Sequence, residues 1–255
     1  MGFGIIGGDM ENLTGEKETT EGLPGHTPRN PLRVGWESAK ANAVPMVLLW
    51  LLAAATVVTY YVVPGAAAVF GPVQRWHLEG GWVAAFLNRT FFLGLLPGVF
   101  LLTVRSLRPE KPWITIIAQT LWCGIWGVIS DWLYQFQCFM FGNGVDLATL
   151  LAKTFFDQFV FTAFLNAPAN AVFFFWVSRS FSLSRFRAEC PRRFVRGLVL
   201  PNLVANWCVG FPTTFLLYMF PPPLQLQVSG FIYAFWILMC LQIAHRSAPE
   251  RSPVQ

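Results

Sequence analysis

The chain has 255 residues, of which 55% are hydrophobic, 16% aromatic and only 12% charged. So few charges cannot coat a water-soluble globule of this length, so the composition excludes that class and points to a polytopic membrane protein. The formal charge of +5 does not indicate a nucleic-acid partner, because the arginines are dispersed beside apolar segments, as in positive-inside loops, instead of forming one basic domain.

Residues 1 to 42 form a hydrophilic N-terminal tail, acidic early (Asp9, Glu11, Glu16, Glu18, Glu21) and basic late (Arg29, Arg33, Lys40). The tail has no apolar core of a secretory signal, and its acidic residues argue against a cleaved organelle transit peptide. Residues 43 to 246 read as a transmembrane helical bundle, and 247 to 255 as a short polar C-terminal tail.

The first apolar segment is Val44 to Val63, closed by Pro64 and Gly65. A weakly polar loop with Arg75, His77 and Glu79 follows, and then a second segment, Trp82 to Val104, that carries Asn88 and Arg89 at unusual depth. The third, Trp113 to Gln137, has a small-residue face at Thr120, Cys123, Gly124 and Gly127 and ends with Asp131, Trp132 and Tyr134.

The fourth, Phe159 to Val177, lies in the most apolar stretch and also carries the most ordered polar residues. At about 1.5 Å per helical residue it crosses a hydrocarbon layer of roughly 30 Å. Thr154, Gln158, Thr162, Asn166 and Asn170 recur every fourth residue and make one polar stripe along it, which should face other helices, since lipid tails offer no hydrogen-bond partner.

The fifth segment, Gly197 to Phe220, is interrupted by Pro201 and Pro212 and is polar at Asn202 and Asn206; the sixth is Leu224 to Ala244. Basic and neutral connections alternate across these six segments, as the positive-inside rule requires when both termini share the basic side. The expected fold is therefore an all-α bundle of about six apolar segments; five spans plus one interfacial segment is the alternative if the proline-broken fifth lies in the interface.

This topology brings Arg89, Asp131, Lys153 and Asp157 to similar depth near the neutral face, with Gln158 beside them, and the four charges sum to zero. Two roles fit: a polar vestibule leading to the stripe, or a set of hydrogen bonds that hold helices together. A pore needs several facing stripes and one is present, so the second role is favoured. The five cysteines and three histidines form no metal-ligand spacing, and there is no phosphate loop or nucleophile elbow, so no metal, cofactor or enzymatic chemistry is expected.

From about residue 127 onward, Lys153-x-x-x-Asp157-Gln158, Trp132 and Tyr134 upstream, Asn206-Trp207 with Phe211-Pro212 downstream, and Trp236 before a basic tail resemble the Mpv-seventeen and peroxisomal-membrane-protein family of small organellar membrane proteins. The pattern departs from that family at Ser130, Ala163, Phe211 and Phe215, and the family is generally drawn with four spans. The resemblance implies a mitochondrial inner-membrane or peroxisomal location and a non-enzymatic, structural or channel-like role. An accessory subunit of a large mitochondrial inner-membrane complex, such as a respiratory complex or ATP synthase, is the alternative. The expected partners are membrane lipids and other membrane-protein subunits.

Overall fold

A computed structural model describes residues 31–104, 108–190 and 194–247. Among them every regular element is a helix: α1 (Pro31–Ala41), α2 (Ala43–Val62), α3 (Ala66–Thr103), α4 (Pro112–Phe141), α5 (Leu147–Ser178), α6 (Leu183–Glu189), α7 (Leu200–Tyr218) and α8 (Pro222–Ser247). Four of these, α2, α3, α4 and α5, are long and apolar enough to cross a membrane.

The two remaining segments expected to span do form helices, α7 and α8, but neither is among those four. Polar content accounts for α7, where Asn202, Asn206, Thr213 and Thr214 dilute the apolar run; in α8 several side chains beyond Phe235 lie outside the described residues. Part of the sequence-defined tail, Pro31–Ala41, is helical and carries an exposed Arg33–Glu37 pair one turn apart. The acidic residues 9 to 21 and Arg105, Arg192, Arg193 and Arg251 lie outside the described residues.

The stretch read as a loop around Arg75, His77 and Glu79 is instead the first half of α3. The helix continues through Pro72 and bends at Gly81, whose φ of 50° and ψ of −129° suit a residue without a Cβ. Helix ends follow local chemistry elsewhere. Pro112 opens α4, where a missing N–H costs no helical bond, and Gly142 closes it with φ 83°. Asp146 caps α5 by accepting the Thr149 amide at 3.0 Å.

There are three wider π-helical stretches among the described residues: Thr90–Leu95 within α3, Phe156–Asn166 within α5 and Val195–Val199 leading into α7. Each is followed within two residues by a proline, Pro97, Pro168 and Pro201 respectively. A proline has no N–H to give the preceding turn and its ring presses on the carbonyl four residues back. Widening that turn relieves the clash without ending the helix.

The chain divides into two compact units. One comprises Val44–Phe155 and Pro212–Gln255, where α3 packs along α4 and α8 packs against both. Its small interior residues permit close approach: at Gly127 an added Cβ would meet the Arg89 side chain and the Ala85 carbonyl. Tyr60 stacks edge-on against Phe70 and Phe220, each at 5.5 Å between ring centroids.

The other unit comprises Met1–Ala43 and Phe156–Phe211. Ala167, Ala171 and Phe175 of α5 bury there against Leu198, Val199 and Leu203. After α5 the chain turns through Ser180 and Phe181, both with positive φ, and Phe181 packs edge-on against Trp176. Arg179 and Glu189 form an ion pair at this end of the unit.

Outward positions are strongly apolar. Phe139 is 85% exposed, Phe164 80% and Trp132 70%, values that suit a lipid environment and not water.

Candidate functional site

The interior of the first unit is built on polar side chains. On α3, His77, Asn88 and Arg89 all point inward, and Arg89 is completely buried. Gln227 of α8 joins two of them: Asn88 Nδ2 donates to Gln227 Oε1 at 2.5 Å, and Gln227 Nε2 lies 2.9 Å from His77 Nδ1. An amide nitrogen can only donate, so His77 Nδ1 is the acceptor and the ring proton sits on Nε2. That Nε2 meets Asp131 Oδ1 of α4 at 3.0 Å, and Asp131 Oδ2 accepts from Gln135 at 2.8 Å. The result is a directed hydrogen-bond chain, Asn88 to Gln227 to His77 to Asp131, across three helices.

Arg89 takes a separate route. It donates to Ser229 Oγ of α8 at 2.7 Å, bonds the Tyr134 hydroxyl and sits 5.8 Å from the centroid of the Tyr233 ring. Lys153, also buried, places Nζ 3.5 Å from Cys138 Sγ and 6.0 Å from the centroid of Tyr218, whose ring packs edge-on against Tyr134. The expected pairing of these three charges with one another is not what the structure shows: Asp131 accepts a hydrogen bond from the His77 ring, while Arg89 and Lys153 lie among hydroxyls, a thiol and aromatic faces.

Asp157 and Gln158 belong to the second unit. There Asp157 accepts from Gln158 at 3.1 Å and from Thr162 at 3.2 Å. Gln158 is also the point where α5 meets α7: its backbone carbonyl accepts Trp207 Nε1 at 2.9 Å, and its side-chain oxygen faces Asn206 Nδ2 at 3.5 Å. The Trp207 ring covers Phe159, with centroids 4.9 Å apart.

All five residues of the stripe, Thr154, Gln158, Thr162, Asn166 and Asn170, are buried. Much of their bonding is local. Thr154 returns to the Leu150 carbonyl at 2.8 Å, and Asn170 donates to Asn166 Oδ1 at 2.5 Å and to the Asn166 carbonyl at 2.9 Å. Of the remaining motif positions, Tyr134 and Asn206 are buried, Pro212 lies within α7, Trp132 is exposed outward, and the Trp236 side chain lies outside the described residues.

Sequence reading passed over His77, Gln227, Ser229 and Gln137. The signal for the α8 pair was present: Gln225, Gln227 and Ser229 interrupt an apolar run, and a polar residue in such a run needs a partner. For His77 there was none, since its partner is distant in sequence and its helix was read as a loop. Among the described residues no group of three His, Cys, Asp or Glu could hold a metal ion.

No family model, curated protein or solved structure matches the chain.

Proposed function

We propose that this is a non-enzymatic, structural protein of an organellar membrane, most naturally the mitochondrial inner membrane, that works by helix assembly within the bilayer, with α7 and α8 crossing alongside α2, α3, α4 and α5. The observation that carries this reading is the chain from Asn88 through Gln227 and His77 to Asp131, which spends its donors and acceptors on joining helices. A His–Asp pair can serve catalysis when the other ring nitrogen is offered to a substrate. Here that nitrogen is occupied by Gln227, which supports a clamp and not a base.

A channel-like role would use the stripe on α5, but Thr154 and Asn170 are engaged with their own helix. An accessory subunit of a large mitochondrial inner-membrane complex fits better, because the wide apolar exterior suits neighbouring helices as well as lipid. The Mpv-seventeen resemblance of the C-terminal half supports the location. Mild detergent extraction followed by native electrophoresis tests it. Comigration with a respiratory complex or ATP synthase is expected; a small free species that conducts solutes in liposomes would replace the subunit reading with a channel.

A further inference from the structure

The connection from α5 to α7 folds back onto the end of the second unit. Ser180 and Phe181, both with positive φ, reverse the chain, and the Ser182 hydroxyl accepts the Arg185 amide at 3.4 Å to start α6. Phe186 of α6 packs edge-on against Phe175 of α5, with centroids 5.3 Å apart, and Cys190 and Phe194 join it on the apolar cluster that contains Phe175, Leu198 and Val199. Arg179, whose guanidinium lies 4.8 Å from the centroid of Phe175, pairs with Glu189 and ties the far end of α6 to the same place. The short helix is thereby pinned where α5 ends and α7 begins.

An inward Phe186 leaves its neighbours outside. Arg185 and Arg187, each about 100° around the helix from it, are exposed, and so is Arg196, two residues before the buried Leu198. Glu189 is the only acidic residue between Asp157 and Glu250, and it holds Arg179. Arginines outnumber it here, so this connection is net positive whatever each side chain bonds locally. Apolar groups are exposed among the cations: Leu183 is 55% exposed and Val195 64%, and Trp176 meets Phe181 at the turn. Bare Leu and Val mixed with arginines suit neither bulk water nor hydrocarbon. They suit the boundary, where apolar groups meet acyl chains and guanidiniums meet phosphates.

We infer that α6 and the approach to α7 form an interfacial docking surface for anionic phospholipid headgroups, with Arg185, Arg187 and Arg196 as the contacting cations. The planar guanidinium fork matches phosphate oxygens, and a net negative headgroup is selected because the choline of a zwitterionic one offsets its phosphate. The inference rests on the bilayer reading above but not on the subunit reading.

The test mixes the full chain, purified in mild detergent, with equal amounts of phosphatidylglycerol and phosphatidylcholine and reads retained lipid by native mass spectrometry. A roughly tenfold preference for phosphatidylglycerol is expected, and Arg185→Gln/Arg187→Gln/Arg196→Gln should keep about twofold at most. Arg185→Lys/Arg187→Lys/Arg196→Lys, which keeps the charge, should retain most of the preference, and Arg75→Gln, at an exposed cation of the other unit, all of it. If the triple glutamine variant does not fold, Arg187→Gln/Arg196→Gln decides. Wild-type protein without a preference, glutamine variants that keep it, or an equal loss on Arg75→Gln overturns the surface. Glutamine variants that keep the lipid preference but no longer comigrate with a larger complex would assign the arginines to an acidic partner subunit, which also overturns it. A chain that stays monodisperse in buffer without detergent overturns the bilayer reading as well, which separates that failure from the others.

Discussion

His77 Nε2 and Asp131 Oδ1 stand 3.0 Å apart, one on α3 and the other on α4, with neither side chain more than marginally exposed. The pair fixes the ring of His77 so that its second nitrogen faces Gln227 of α8. Three helices distant in sequence are thereby held by one imidazole. In lipid such bonds matter because hydrocarbon offers no alternative partner, although each contributes only about 1 kcal/mol.

Gln227→Leu removes both bonds of that residue and strands the Asn88 amide and His77 Nδ1 in the interior. A loss of about 1 to 3 kcal/mol is expected for each stranded group. The double variant with His77→Leu should cost less than the sum of the singles, because it removes the stranded partner as well. Thermal unfolding in detergent measures both; additive losses would show that the two residues are not coupled.

Gly127→Val drives a side chain into Arg89 and the Ala85 carbonyl, where α3 and α4 pack in direct contact. Overpacking of this kind costs about 1 to 3 kcal/mol. A variant that melts at the wild-type temperature would mean that the two helices are not packed at Gly127.

Trp207→Phe keeps a ring against Phe159 but loses the bond from Nε1 to the Gln158 carbonyl. The expected loss is about 0.5 to 1.5 kcal/mol, the worth of one hydrogen bond. Trp207→Leu, which also removes the stacked ring, should cost more; equal losses would assign all of the effect to the indole N–H.

Asp146 lies at an exposed connection, where the backbone N–H of Thr149, and then its hydroxyl, hold the carboxyl below its ordinary range. A depressed carboxylate contributes stability above its unfolded value and loses it as pH falls through the folded one. Protection of the Thr149 amide against hydrogen exchange, corrected for intrinsic rate, should therefore fall below about pH 4, the ordinary Asp value. Asp146→Asn, which caps with a neutral oxygen, should show no such fall. The same pH dependence in both proteins would remove Asp146 as the cap.

The sequence made the helical class and the inward stripe legible, because a four-residue polar period in an apolar stretch has one way to avoid lipid. Thr162 and Asn166 are accordingly buried while Phe164 faces out. The count of spanning helices was less legible, since residues such as Asn206 lower the apolarity of α7 although Asn206 is buried inside. The partners of the buried charges were not legible at all. Nothing local to Asp131 announces a histidine far upstream, and the bend at Gly81 that lets His77 share a helix with Arg89 depends on a single positive φ.

The central claim is that amides and ions are sequestered inside while phenylalanines meet lipid. Nitroxide labels placed singly at Phe139, Phe164, Asn88 and Thr162 of the full chain in lipid vesicles test it most directly. Collision with lipid-dissolved oxygen should be frequent at Phe139 and Phe164 and rare at Asn88 and Thr162; the reverse order, or fast collision of all four with a water-soluble nickel complex, would contradict the account.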